Sequence, residues 1–136
     1  MCTDFIQGWR VAVAALLLVG IGGCAASVKQ AAVAVPVQTS GAQSKPNQAV
    51  QETVVVKLPT GYQREIRKGS LWRSAGSIPQ GEVLRPVGTV FTIEGRQVHE
   101  AWLVLSDQKL VGFYLPGDQA YSALKSPLPM IVGDVQ

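Results

Sequence analysis

The sequence predicts a mainly β fold: a small antiparallel barrel or sandwich of five to six strands, behind a signal peptide and a disordered tether. Three observations carry that expectation. From residue 53 onward, short β-branched and aromatic runs are punctuated by Gly, Pro and Asp turn residues, and no helical period lasts longer than a turn or two. Three successive runs, 87–93, 96–105 and 109–115, align their apolar residues when paired through the two-residue turns Glu94-Gly95 and Asp107-Gln108. Before residue 53, by contrast, the composition cannot build a core.

Residues 11–23 are an uncharged apolar run of 13 residues. A bilayer span needs about 20, whereas a signal-peptide hydrophobic region needs about 7–15. Arg10 and the amino terminus supply the preceding positive charge, with Asp4 against them. The run closes on Val19-Gly20-Ile21-Gly22-Gly23-Cys24, which resembles the bacterial lipobox. Ile21 stands where leucine is commonest, and Gly22 where alanine or serine is commoner. The resemblance implies that 1–23 is a lipoprotein signal peptide and that Cys24 becomes the diacylglyceryl-modified, fatty-acylated first residue. Its partner is then the lipid bilayer. Ala25 rather than aspartate follows, which by similarity to Gram-negative sorting implies an outer membrane lipoprotein facing the periplasm. The one other cysteine, Cys2, lies within the signal peptide, so the mature chain has no disulfide to stabilise it.

After Cys24, the linker region 24–52 is rich in Ala, Val, Gln, Ser and Pro and has no aromatic, Leu, Ile or Met. Such a chain buries too little surface to offset its ordering entropy and is expected as a flexible tether. The 28 residues from Ala25 to Glu52 would span about 30 Å as a coil and about 90 Å stretched. Within this tether, residues 31–37 are β-capable and suited to joining a sheet edge on meeting a partner.

The globular domain is expected over 53–125. Residues 53–58 form a first strand ending at Pro59-Thr60-Gly61, 63–67 a second, and 70–73 a short third; a Gly/Pro/Ser-rich loop over 75–81 precedes the three-stranded meander. In the meander, two-residue turns set Phe91 opposite Val98, Val87 opposite Trp102, Trp102 opposite Phe113 and Val104 opposite Val111. That lines Val87, Phe91, Val98, Trp102, Val104, Phe113 and Leu115 on one face. Val90, Ala101, Leu103, Leu105, Leu110 and Tyr114 fall on the other, so both faces are apolar and call for cover. Trp102 is the expected core anchor, Glu100 shares its side, and Gly112, opposite Leu103, leaves room for closure or a bend. Residues 120–124 suggest a helical turn. An extended tail, 126–136, carries Pro127 and Pro129, which bar it from a central strand.

No catalytic constellation emerges. His99 is the single histidine, without a Ser, Cys or Asp at a motif spacing. Metal binding needs several convergent ligands, which the mature chain does not offer, and Glu94 and Glu100 have no spacing that favours glycoside chemistry. We therefore expect a protein that is not an enzyme and needs neither metal nor cofactor.

Charge is more informative. Lys57, Arg64, Arg67, Lys68 and Arg73 face Glu65 alone, a net +4, while residues from Ser74 onward carry a net −2. Arg64, Arg67, Lys68, Trp72 and Arg73 are therefore the candidate partner-binding residues, because Trp and Arg concentrate at interface hot spots; Trp72 also suits the core. Such a basic stretch on an anchored domain suits anionic lipid or an acidic protein. Nucleic acid is a poor fit to the compartment and the small charge excess. Lys68-Gly69-Ser70-Leu71-Trp72, then Val87-Gly88-Thr89-Val90-Phe91-Thr92-Ile93, loosely resembles the outer-ring lipoproteins of the flagellum, with Thr89 in place of the family's Asp and a much shorter chain. The resemblance implies a non-catalytic assembly component of an envelope complex serving secretion, conjugation or a surface appendage. The alternative is a periplasmic binding or inhibitor module for a protein or small ligand. The oligomeric state is left open.

Overall fold

The computed structural model describes residues 28, 30–32 and 45–135; the apolar run 11–23, Cys24 and most of the expected tether lie outside the described residues. The described chain is all β. Its strands are β1 (Ala31–Ala32), β2 (Gln48–Val50), β3 (Val54–Lys57), β4 (Gln63–Ile66), β5 (Leu71–Ile78), β6 (Gly81–Pro86), β7 (Thr92–Glu94), β8 (Val98–Glu100), β9 (Trp102–Ser106), β10 (Lys109–Leu115), β11 (Ala120–Pro129) and β12 (Val132–Asp134). Eight of them make one antiparallel sheet in the order β1-β11-β10-β9-β6-β5-β2-β12, and the hairpins β3–β4 and β7–β8 stand outside it. Val56, Ile66 and Ile93 of the hairpins share one buried core with Leu84, Leu103, Leu110, Phe113 and Leu115 of the large sheet. The fold is thus sandwich-like rather than a closed barrel, with more strands than the five to six expected. A second cluster of Ile78, Val83, Val104, Tyr114 and Tyr121 is buried separately. Strand alternation puts it on the opposite face of the sheet, so both faces are apolar, as the sequence suggests.

The strand registers differ from expectation for local reasons. Asp107 and Gln108 both have positive φ, 50° and 58°, the geometry of a type I′ hairpin turn. There Lys109 pairs with Ser106 and Leu110 with Leu105, but a bulge at Val111 shifts the ladder, so that Phe113 faces Leu103 and Tyr114 faces Trp102. A one-residue slip exchanges faces for everything beyond it. Phe113 therefore enters the main core, while Trp102, half-buried, lies on the second face. Its indole stands 5.8 Å from the Tyr114 ring, and its Nε1 donates to Glu100 Oε1 at 3.2 Å.

The bulge is completed from the neighbouring strand. The Tyr121 hydroxyl donates to the Val111 carbonyl at 3.0 Å, and Gly112 leaves room for it: a Cβ there would collide with the Ser122 carbonyl oxygen and stand 2.6 Å from Tyr121 Cε2. Burial raises the Tyr121 pKa above its ordinary 10.0, so the hydroxyl keeps its proton, and its donor role, throughout the neutral range.

Elsewhere, turn geometry overrides the simple pattern. The β7–β8 turn has three residues, 95–97, with Gly95 N donating to Gln97 O at 3.0 Å, and it pairs Ile93 with His99 instead of Phe91 with Val98. Residues 87–91 leave the sheet, so Val87 does not face Trp102. The segment expected as a 75–81 loop instead continues β5 to Ile78, with a bulge between Ser74 and Gly76.

Both expected flexible ends contribute to the fold. In the tether, β2 pairs with β5, and Val50 is buried. At the other end, the expected helical turn 120–124 and the tail form β11 and β12. β11 pairs along β10, and Pro129 lies opposite Lys109. The chain then passes through buried Met130, whose N–H donates to Gln108 O at 2.9 Å, and β12 pairs with β2. Pro127 and Pro129 are accommodated because, among the described residues, β1 pairs with β11 only at Ala120 and Tyr121, so no described strand calls on the prolines for a donor on that side. Of the β-capable residues 31–37, Ala31 and Ala32 join an edge of their own sheet, and the rest lie outside the described residues.

Candidate functional site

The basic stretch gathers around a groove of about 510 Å³ lined by β4, the start of β5 and the chain leaving β6, including Arg64, Arg67, Leu71, Trp72, Val87, Thr89, Val90 and Phe91. The β4–β5 turn builds its wall. Gly69 adopts φ +84°, where a side chain would be strained, and its N–H donates to Val50 O at 2.8 Å. Ser70 Oγ donates to Arg67 O at 2.6 Å and accepts from Trp72 Nε1 at 3.0 Å. The relay fixes the buried Trp72 indole, so its one polar atom is satisfied.

Aromatic rings form the floor. Trp72 meets Phe91 edge-on at 5.4 Å, and Phe91 stacks on Phe113 at 6.0 Å. The Arg64 guanidinium lies 4.7 Å above the Phe91 ring, within cation–π range, and its Nε is buried with no hydrogen-bond partner among the described residues. Arg67 makes an exposed 3.5 Å ion pair with Glu65, a contact contributing only about 0–1 kcal/mol. Apolar surface rims the groove: Val90 is 63 % exposed and Leu71 38 %. The arrangement offers a rigid aromatic floor, an apolar lip and two guanidiniums. It suits an extended segment carrying carboxylates and apolar side chains.

Of the expected binding residues, Arg64, Arg67 and Trp72 come together here. Lys68 lies exposed in the adjoining turn, and Arg73 alternates to the other face of β5, opposite Arg85. Cys24 lies outside the described residues. Sequence reasoning missed Val87, Thr89, Val90 and Phe91 as groove residues by taking 87–93 for one strand. The signals against it were present: Pro86, and Gly88, which adopts φ +73°, end the strand.

His99 has a partner that no motif indicated. Its Nδ1 lies 2.9 Å from Asp118 Oδ2, and the same oxygen accepts from Gln30 Nε2 at 3.2 Å. The three side chains clasp the N-terminal segment to the β10–β11 turn. Another groove, between β3 and the end of β11, is bordered by Val55, Lys57, Leu124 and Lys125 but has no aromatic floor. Among the described residues, no group of His, Cys, Asp and Glu is placed to hold a metal ion, and no helix is long and apolar enough to cross a membrane.

Compared with known proteins, the chain matches no family model, no curated protein and no solved structure.

Proposed function

We propose that this chain is a cell-envelope lipoprotein, acylated at Cys24 and held at the periplasmic face of the outer membrane. In this reading it is a non-catalytic assembly component that docks an acidic, partly apolar segment of a protein partner in the Trp72–Phe91–Arg64 groove. One observation carries the docking role: Arg64 is held over Phe91 beside the exposed Leu71 and Val90, in the region where the chain concentrates its positive charge. Folding alone gains little from crowding like charges, and a tethered domain meets a weak partner at high local concentration.

Two variants test the reading. Cys24→Ser is expected to abolish lipid labelling and leave uncleaved precursor; normal processing and membrane retention of that variant would refute lipidation. Replacing Arg64, Arg67 and Lys68 together with Gln is expected to weaken crosslinking to the partner in intact envelopes about tenfold or more, a loss of about 1.4 kcal/mol. Circular dichroism checks that the fold is retained. The wild-type contact is expected to weaken between 0.1 M and 1 M salt, as the Debye length falls from about 10 Å to 3 Å. A salt-insensitive contact retained by the triple variant would move the interface elsewhere.

A further inference from the structure

The residues just after Cys24 do not all belong to a spacer. Val28 is buried in the main core, Gln30 is held by Asp118, and Ala31 and Ala32 pair with Tyr121 and Ala120. Val28 is four positions beyond Cys24, and even a fully extended chain spans only about 14 Å over that distance. A lipid anchor at Cys24 therefore leaves the docked segment within a short reach of the bilayer surface, not at the end of a long tether.

Two residues of the same region suit that surface. Val28 and Gln30 line a shallow pocket with Arg96, Gln97 and His99, and the adjoining Val98 is 62 % exposed. Arg96 sits in the β7–β8 turn, with Glu94 exposed beside it. Glu100 accepts from Trp102, and Asp118 is engaged by His99 and Gln30. The hairpin offers an exposed valine for the interfacial zone and a guanidinium for lipid phosphate; with Glu94 and Glu100 against Arg96 it carries a net −1.

We propose that the docked N-terminal segment sets the domain down on its membrane, with the β7–β8 hairpin against the lipid headgroups. This rests on acylation at Cys24. The anchor and its short reach hold the contact in place, so it is expected to be insensitive to salt, unlike the groove contact.

The test uses the full processed lipoprotein in phosphatidylcholine vesicles containing nitroxide-labelled lipid. Acylation blocks Cys24, and Cys2 leaves with the signal peptide, so an introduced cysteine is unique. A bimane probe is placed at Val98→Cys or at Lys109→Cys. Both positions are exposed, and Lys109 lies at the opposite end of β10 from the Asp118 turn, about 20 Å away. The expected result is at least twofold stronger quenching at position 98 than at 109, unchanged by salt. A ten-residue Gly/Ser insertion after Ser27 is expected to remove the difference. Vesicle flotation and the mass of the Cys24 peptide separate the two readings. An unacylated chain that does not float overturns the lipoprotein assignment, and the membrane contact with it. A chain that floats but is quenched equally at both positions, or is unaffected by the insertion, overturns the membrane contact alone.

Discussion

Phe113→Ala is expected to destabilise the fold by about 3–5 kcal/mol, the range for truncating a fully buried large aromatic. Phe113 is completely buried, and its ring supports Phe91, which in turn supports Trp72 and Arg64. The substitution opens a cavity beneath the groove, so partner binding is expected to weaken along with stability. Chemical denaturation measures the first effect, with midpoint and slope fitted together. Trp102→Ala provides the comparison: without the Val111 bulge, Trp102 would share the core face with Phe113. In the observed register it is half-buried, so its loss is expected to cost clearly less. Equal costs for the two substitutions would contradict the shifted ladder.

Truncation after Pro129 is expected to have a comparable or larger effect, a loss on the order of 4–6 kcal/mol. Met130 is 1 % exposed, and removing a buried methionine side chain alone costs about 2–5 kcal/mol. The cut also removes the hydrogen bonds Met130 N to Gln108 O, Gln51 N to Ile131 O and Val135 N to Asn47 O, each contributing about 0.5–1.5 kcal/mol. It further strips β12 from β2, leaving the buried Val50 open to water. With typical domain stability of about 5–15 kcal/mol, the truncated chain is expected to melt many degrees lower and to lose amide protection in β2. A melting temperature within about 2 °C of the intact chain would show that β12 contributes little to stability.

Local signals in the sequence indicated the fold class and most strands. β-Branched runs between Gly and Pro residues reveal β3, β4, β9 and β10, and the count of apolar residues reveals two apolar sheet faces. The basic stretch likewise led to Arg64, Arg67 and Trp72. The remaining features depend on distant contacts. The bulge at Val111 leaves no mark in an alternating pattern, because Val111 and Gly112 fit either register; its stabiliser, the Tyr121 hydroxyl, lies ten residues away. Residues 126–136 look unsuited to a sheet because proline cannot donate to a ladder, yet among the described residues no strand pairs with β11 on the outer side of Pro127 and Pro129, which removes that objection. His99 and Asp118 are 19 residues apart, and only the folded turn brings them together. Gln48–Val50 is too short and polar to stand out from the tether; its pairing with β5 and β12 makes it a strand.

The run from Ala120 to Asp134 joins β10 early and β2 late, and this orders events in time. A chain delivered N-terminus first presents β2 long before β12 exists to cover its outer edge. The residue that pairs with Gln48 is Asp134, so the large sheet cannot be completed until Asp134 has emerged. Contacts so far apart in sequence make for slow folding. The delay leaves the edge of β2 exposed to aggregation in any chain stalled before β12 has emerged.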